Sequence, residues 1–131
     1  MSQENVDVFR RGTEAISRGD PLDIPATVHP EAVFETPRSG TEGPFVGHEG
    51  MRRFIEDTEE LFDLFLISYT DIRDLGDRLL AIGSIRIRGR GSGVEADVPS
   101  AAVAEFRDGL LWRYKDYGDP RLALEAVGLR E

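Results

Sequence analysis

The apolar residues of the chain change their spacing once, and that change limits the folds open to it. Met51, Phe54, Ile55, Thr58, Leu61, Phe62 and Phe65 recur three or four residues apart, while Arg52, Arg53, Glu56, Asp57, Glu59, Glu60 and Asp63 fill the positions between. A helix of 3.6 residues per turn puts the first set on one face and the charged set on the other. From Leu66 onward the period is two, in four runs: Leu66–Leu75, Arg78–Arg88, Val94–Arg107 and Leu110–Tyr117. Gly76-Asp77, Gly89 to Gly93 and Asp108-Gly109 punctuate them, and Asp-Gly between alternating runs is a hairpin signal. The pattern predicts a long amphipathic helix followed by a four-stranded antiparallel meander.

Upstream, Val6, Phe9, Thr13 and Ile16 form an apolar stripe on a helix over about 3–18, with Ser2 as a cap and Glu4 near the positive end of its dipole. Gly19-Asp20-Pro21 stops that helix. Pro21 opens a second, short one through Leu22, Ile24 and Val28, which His29-Pro30 ends. Ala32 to Thr36 reads as a short strand closed by Pro37, Arg38 to Gly47 as the longest loop, and Pro120 to Val127 as a last short helix. No repeat or linker interrupts the order, so residues 1–131 are expected to form a single domain. The fold class is α+β, with a curved, mostly antiparallel sheet around helices gathered at one side. A ligand pocket is expected between helices and sheet. Leu, Ile, Val and Phe number 36 of 131 residues, enough for one packed core.

Composition narrows the chemistry. The formal net charge of −9 has the wrong sign for tracking phosphates, so nucleic acid and anionic membrane are not expected as partners. With no cysteine, disulfides, thiolate metal sites and cysteine nucleophiles are excluded. Two histidines on separate elements, without a third ligand at metal-binding spacing, lead to the expectation of no metal. No apolar run approaches 18 residues and the first residues are polar and acidic, so a cytoplasmic protein without a leader or membrane span is expected.

Several strings add a resemblance. Ser17-Arg18-Gly19-Asp20, His29-Pro30-Glu31 before Val33-Phe34-Glu35-Thr36-Pro37, Gly47-His48-Glu49-Gly50-Met51-Arg52-Arg53-Phe54, Phe106-Arg107-Asp108-Gly109 and the Trp112 to Asp116 strand occur in that order along essentially the whole chain. In this the chain resembles the SnoaL-like, polyketide cyclase-like branch of the nuclear transport factor 2-like superfamily. The resemblance implies a cone-shaped fold enclosing a pocket, a homodimer through the outer sheet face, and no metal or organic cofactor. Its activities are varied, and include ketosteroid isomerases, cyclases and non-catalytic modules. The isomerase site places a base where this chain has Thr36, a tyrosine at about Gly12 and an aspartate near Ala102, so that chemistry is not expected here. The cyclases carry an aspartate four residues after a tryptophan on the last strand, and Trp112-Arg113-Tyr114-Lys115-Asp116 has that spacing. They also carry a histidine on the middle strand, where this chain has Ile85-Arg86-Ile87-Arg88-Gly89, so an arginine would have to stabilise the enolate instead.

Strand alternation puts Trp112, Tyr114 and Asp116 on one face and Arg113, Lys115 and Tyr117 on the other. If the aromatic face is the inner one, Asp116 shares an apolar pocket with two rings, where desolvation would raise its pKa and suit it to general acid/base work. The candidate catalytic residue is therefore Asp116. Its other reading is a strand-end aspartate that pairs with Arg or Lys or caps the last helix. Phe34, Thr36, Trp112, Tyr114 and His48 are the candidate pocket residues, with His48 also placed to cap the long helix. Glu35 should point away from the pocket, and His29 should end the short helix. Arg86, Arg88 and Arg90 form a basic stripe, readable as a site for an acidic ligand or as a solvated face balanced by nearby acids. The expected function is binding of a small apolar or carbonyl-bearing molecule, with cofactor-free acid/base catalysis of cyclase or isomerase type. The alternative is a non-catalytic ligand-binding or accessory dimer.

Overall fold

The computed structural model describes residues 3–37 and 42–129. The Ser2 cap and the part of the loop formed by residues 38–41 lie outside them. Helix α1 runs from Gln3 to Arg18, with Glu4 in its first turn and Arg18 in its last, both charges matching the dipole. It ends as Gly19-Asp20-Pro21 predicts. Gly19 takes φ +67°, its N–H donates to the Ile16 carbonyl (3.0 Å), and that of Asp20 donates to the Ala15 carbonyl (2.9 Å). This left-handed turn uses two of the carbonyls that a helix end leaves free. A 3-10 turn over Pro21–Asp23, capped by the Asp20 side chain, leads into the one-turn helix α2, Ile24–Thr27.

Strand β1 spans Val28–Glu35, so His29-Pro30 lies inside a strand and does not end the short helix alone. The buried His29 accepts the Glu31 N–H on Nδ1 at 3.0 Å. Strand β2 is the pair Phe45–Val46, and helix α3 follows directly as Gly47–Leu61. The expected helix overruns here, because Phe62 and Phe65 belong to strand β3, Phe62–Asp74. With no loop between helix and strand, the terminal carbonyls of α3 need partners from elsewhere. Arg90 supplies them: its N–H donates to the Leu61 carbonyl, its Nε to that of Glu59 and its Nη2 to that of Phe62, at 2.9, 2.8 and 3.1 Å. Helix α3 has no basic residue in its last turn, and Arg90 brings one there from the far side of a hairpin.

Strands β4 (Leu79–Gly89), β5 (Glu95–Arg107) and β6 (Leu110–Asp116) complete the meander, and helix α4 (Pro120–Ala126) ends the fold. The six strands form one curved, unclosed sheet in the order β2-β1-β6-β5-β4-β3. All pairs are antiparallel except β1 with β6. The inner face packs on α1, α2 and α3 through a core that includes Phe9, Ile24, Phe34, Met51, Ile55 and Leu79. On the outer face, α4 builds a second, smaller core from Leu80, Ala101, Ala123 and Leu124. No helix of the described residues is long and apolar enough to cross a membrane.

Candidate functional site

Between the helices and the far end of the curved sheet lies a cavity of about 330 Å³. Helix α1 lines it with Phe9, Thr13 and Ile16 and helix α3 with Met51, Phe54, Ile55 and Thr58, all from the two stripes that helical periodicity marks out, and Gly12 joins them from α1. The sheet contributes Phe34 and Thr36 from the β1 side, Phe65 and Ile67 from β3, Ile85 and Ile87 from β4, Val98 from β5, and Leu111, Tyr114 and Asp116 from β6. The wall is overwhelmingly apolar. Two carboxylates reach it, Asp116 and Asp20. Asp20 is occupied as the cap of the Pro21 turn, accepting from the Leu22 N–H at 2.9 Å, and lies 3.7 Å from Arg18.

Tyr114 and Asp116 thus share the cavity, but Trp112 does not line it. The β5–β6 ladder shifts register so that Glu105 pairs with Arg113 and Phe106 with Leu111, leaving Trp112 as an extra residue. A bulge of this kind resets the alternation. Leu111 and Tyr114 both face the cavity, while the Trp112 ring lies under two guanidiniums, Arg107 at 3.9 Å and Arg113 at 4.6 Å. His48 is also off the cavity wall. It sits in the first turn of α3, and its Nε2 donates to the Val28 carbonyl at 2.7 Å, tying the helix to β1. Phe34 and Thr36 are both on the wall. Glu35 pairs with Lys115 at 3.6 Å on the opposite face.

The basic stripe does not face the cavity either. Ile85 and Ile87 take the inner face, so Arg86 and Arg88 stand outside, the first bonded to Asp97 (2.9 Å) and Glu95 (3.4 Å), the second to Asp63 (2.6 Å). No arginine of β4 is placed to stabilise an enolate in the cavity. On the long helix, Arg52 pairs with Glu49 at 3.7 Å, and Arg53 covers the Phe45 ring at 5.0 Å.

Behind the wall lies a group of polar side chains that periodicity does not reveal. Asp116 is buried, 7% exposed, and accepts on Oδ2 from the Ser100 hydroxyl at 2.8 Å. Its Oδ1 accepts from the N–H groups of Ala101 (3.1 Å) and Gly118 (2.8 Å). Gly118 holds φ +76°, a conformation open to glycine, and thereby aims its N–H at the carboxylate. Ser100 also bonds the Tyr69 hydroxyl at 2.8 Å, and Tyr69 bonds that of Tyr114 at 2.6 Å. Tyr69 is placed by a register shift in β3 opposite Gly83, where an added Cβ would come within 2.8 Å of the Tyr69 Cα. Burial, reinforced by the Asp116 charge, pushes the Tyr69 phenol up to about 12. Burial pushes Tyr114 up as well, with the neighbouring Tyr69 and Asp116 adding to it. Both phenols are therefore neutral near pH 7. Among the described residues no group of three or more His, Asp or Glu is placed to hold a metal ion.

The SnoaL-like domain model matches residues 9–114. The chain belongs to the SnoaL-like domain family. The match ends two residues before Asp116. Solved structures share the fold of this SnoaL-like domain over nearly its whole length. An NTF2-like protein of unknown function from Burkholderia pseudomallei is 20% identical, with a TM-score of 0.78, over 98% of this chain and 99% of that one. A hypothetical protein of ketosteroid isomerase-like fold from Catenulispora acidiphila, solved in complex with trimethylamine, is 15% identical (TM-score 0.76, 94% and 93% covered). A putative SnoaL-like polyketide cyclase from Shewanella denitrificans is 16% identical (TM-score 0.73, 86% and 88% covered). At these identities the likeness is one of fold. No curated protein shows significant similarity to the chain.

Proposed function

We propose that this SnoaL-like domain binds a small, largely apolar, carbonyl-bearing molecule in the inner cavity and moves a proton on it with Asp116, without a cofactor. The observation that carries this reading is the position of Asp116: a buried carboxylate on the wall of an apolar cavity of about 330 Å³, beside Tyr114. A carboxylate shielded from bulk water can accept a proton α to a carbonyl when such a carbon is held against it. Proton removal followed by attack of the resulting enolate on a second carbonyl is a ring closure, and proton return to another carbon is an isomerisation. Asp116 pairs in the β5–β6 ladder with Ala102, near which the resemblance places the aspartate of isomerase-type sites. The family's putative cyclases and the ligand complex among the structural neighbours support small-molecule chemistry in this fold.

The test is proton exchange. A bicyclic ketone such as 2-decalone, incubated with the protein in D2O, should gain deuterium α to its carbonyl faster than in buffer, and Asp116→Ala should abolish the excess. Exchange at the buffer rate with the ketone bound would remove the catalytic role.

One observation favours a second reading. Three internal donors already engage Asp116, and they tie β5, β6 and the Tyr117-Gly118 turn together. A carboxylate so used serves a binding protein that holds its ligand without turning it over. Two copies are proposed to pair through the part of the outer sheet face that α4 leaves open, where Leu66 is 46% exposed opposite Arg86. Light scattering after size exclusion reads that state directly.

A further inference from the structure

The hydrogen bonds at the cavity floor run in one direction. Three hydroxyls make three successive contacts: Tyr114 with Tyr69 (2.6 Å), Tyr69 with Ser100 (2.8 Å) and Ser100 with Asp116 (2.8 Å). Each hydroxyl has a single proton, and an ionised carboxylate only accepts. Ser100 must therefore give its proton to Asp116 Oδ2. Tyr69 must give its own to Ser100, and Tyr114 must give its own to Tyr69. While Asp116 is ionised, no other order makes all three bonds. The two middle members do not line the cavity, whereas the two ends, Tyr114 and Asp116, do. With its proton committed to Tyr69, the Tyr114 hydroxyl would meet a ligand as an acceptor.

We propose that Tyr114 reads the hydrogen-bonding sense of the ligand and that Asp116 sets that sense through Ser100 and Tyr69. With the carboxylate ionised, the cavity selects apolar molecules that carry a hydroxyl donor (alcohols, phenols, enols) over their ketone counterparts. A proton on Asp116 Oδ2 reverses the row, because Oδ1 is held by the Ala101 and Gly118 amides and Oδ2 must then donate to Ser100. Each hydroxyl proton turns one place along, and Tyr114 presents its O–H to the cavity. The proposal rests on the reading that the cavity binds a small molecule, and it deepens the proton-transfer chemistry. When Asp116 takes a proton from the α-carbon of a bound ketone, the C–H bond breaks and its electron pair passes to the carbonyl oxygen as an enolate. The reversed row then directs the Tyr114 O–H at that oxygen. The hydrogen bond is formed only once charge has developed, which is the differential stabilisation that accelerates a step.

Asn at position 116 reproduces the protonated state. Its carbonyl oxygen takes the two amide donors and its NH2 donates to Ser100. The experiment is calorimetric titration at pH 7 with a matched pair, 2-decalol and 2-decalone, on the wild type, Asp116→Asn, Ser100→Ala and Tyr114→Phe. The wild type should prefer the alcohol by about tenfold, the scale of one net hydrogen bond. Asp116→Asn should bring the ratio to about one or below by gaining ketone affinity. Ser100→Ala should erase the preference although Asp116 and Tyr114 are both present, and Tyr114→Phe should erase it while keeping apolar binding. If Asp116→Asn does not fold, the Ser100→Ala and Tyr114→Phe ratios decide. A wild type that binds both probes equally, or a preference that survives Ser100→Ala, overturns the proposal and leaves the pocket reading standing. Binding of neither probe overturns both. Tight binding with the predicted ratios but no deuterium exchange removes catalysis and leaves the proposal intact.

Discussion

Leu79, Leu80 and Ala81 on β4 are sealed between two layers, whereas Ile85 and Ile87, a few residues along the same strand, face open cavity on one side of the sheet and leave Arg86 and Arg88 to water on the other. The partner strand β5 repeats the contrast. Its Ser100, Ala101 and Ala102 are fully buried, and residues 94–99 are all exposed. At the closed end, helix α4 covers the outer face and the helical layer covers the inner one. At the open end the outer face carries the ion pairs of Arg86 and Arg88 beside the exposed Leu66, and the cavity lies between the inner face and helices α1 and α3. One hairpin thus carries both part of the sealed core and part of the cavity wall, and the boundary falls where Tyr69, Ser100 and Asp116 cross the sheet. The polar relay is embedded at the edge of the rigid end, where packing can hold hydroxyls to hydrogen-bonding distance.

This contrast can be broken by substitution. Leu80→Ala at the closed end should cost about 2–5 kcal/mol in urea unfolding, the range for a sealed core leucine, whereas Ile87→Ala at the open end should cost less than about 1.5 kcal/mol. Equal losses would mean that the cavity end is as tightly packed as the core. Ser100→Ala should come next, at about 1–3 kcal/mol, because it strips a donor from a buried carboxylate and a partner from Tyr69.

The relay should also show in alkaline solution. The Tyr69 phenol titrates near 12 when folded and near 10 when unfolded, so the native state holds its proton where the unfolded chain has lost it. Its contribution is fully present below about pH 10 and is lost as pH rises towards about 12. Tyr114 moves in the same direction. Stability followed by urea midpoints should therefore fall across that window, and Tyr69→Phe should flatten the fall. Arg90→Ala should cost about 0.5–1 kcal/mol by uncovering the α3 carboxyl end. The smallest effect belongs to the outer face of the open end. Breaking Arg88–Asp63 by Arg88→Ala should stay within about 1 kcal/mol and shrink further in high salt.

Period and punctuation carried the elements a long way. The stripe of α1, the stop at Gly19-Asp20-Pro21 and the Asp108-Gly109 hairpin are local physics, and the structure has them where the residues indicate. The α3–β3 boundary is different, because Phe62 and Phe65 fit either period. Pairing of Phe62 with Gly89 and of Leu64 with Arg88 decides for the strand, and both partners lie at the far end of β4 in the sequence. Simple alternation puts Trp112 on the face of Tyr114 and Asp116, and a bulge in the register with β5 takes it off the cavity wall while Tyr114 and Asp116 stay there. The Tyr69–Ser100–Asp116 relay joins residues 31 and 16 positions apart on three strands. No local pattern marks it, since a lone tyrosine and a lone serine on strands have no periodic signature.

Methyl chemical shifts test the contrast between the two ends most directly. With isoleucine and leucine methyls labelled with carbon-13, titration with 2-decalol should move the signals of Ile67, Ile85 and Ile87 and leave those of Leu80 and Leu124 in place. Shifts confined to Leu80 and Leu124, or no shift at a concentration where heat of binding is recorded, would contradict a ligand site at the open end of the sheet.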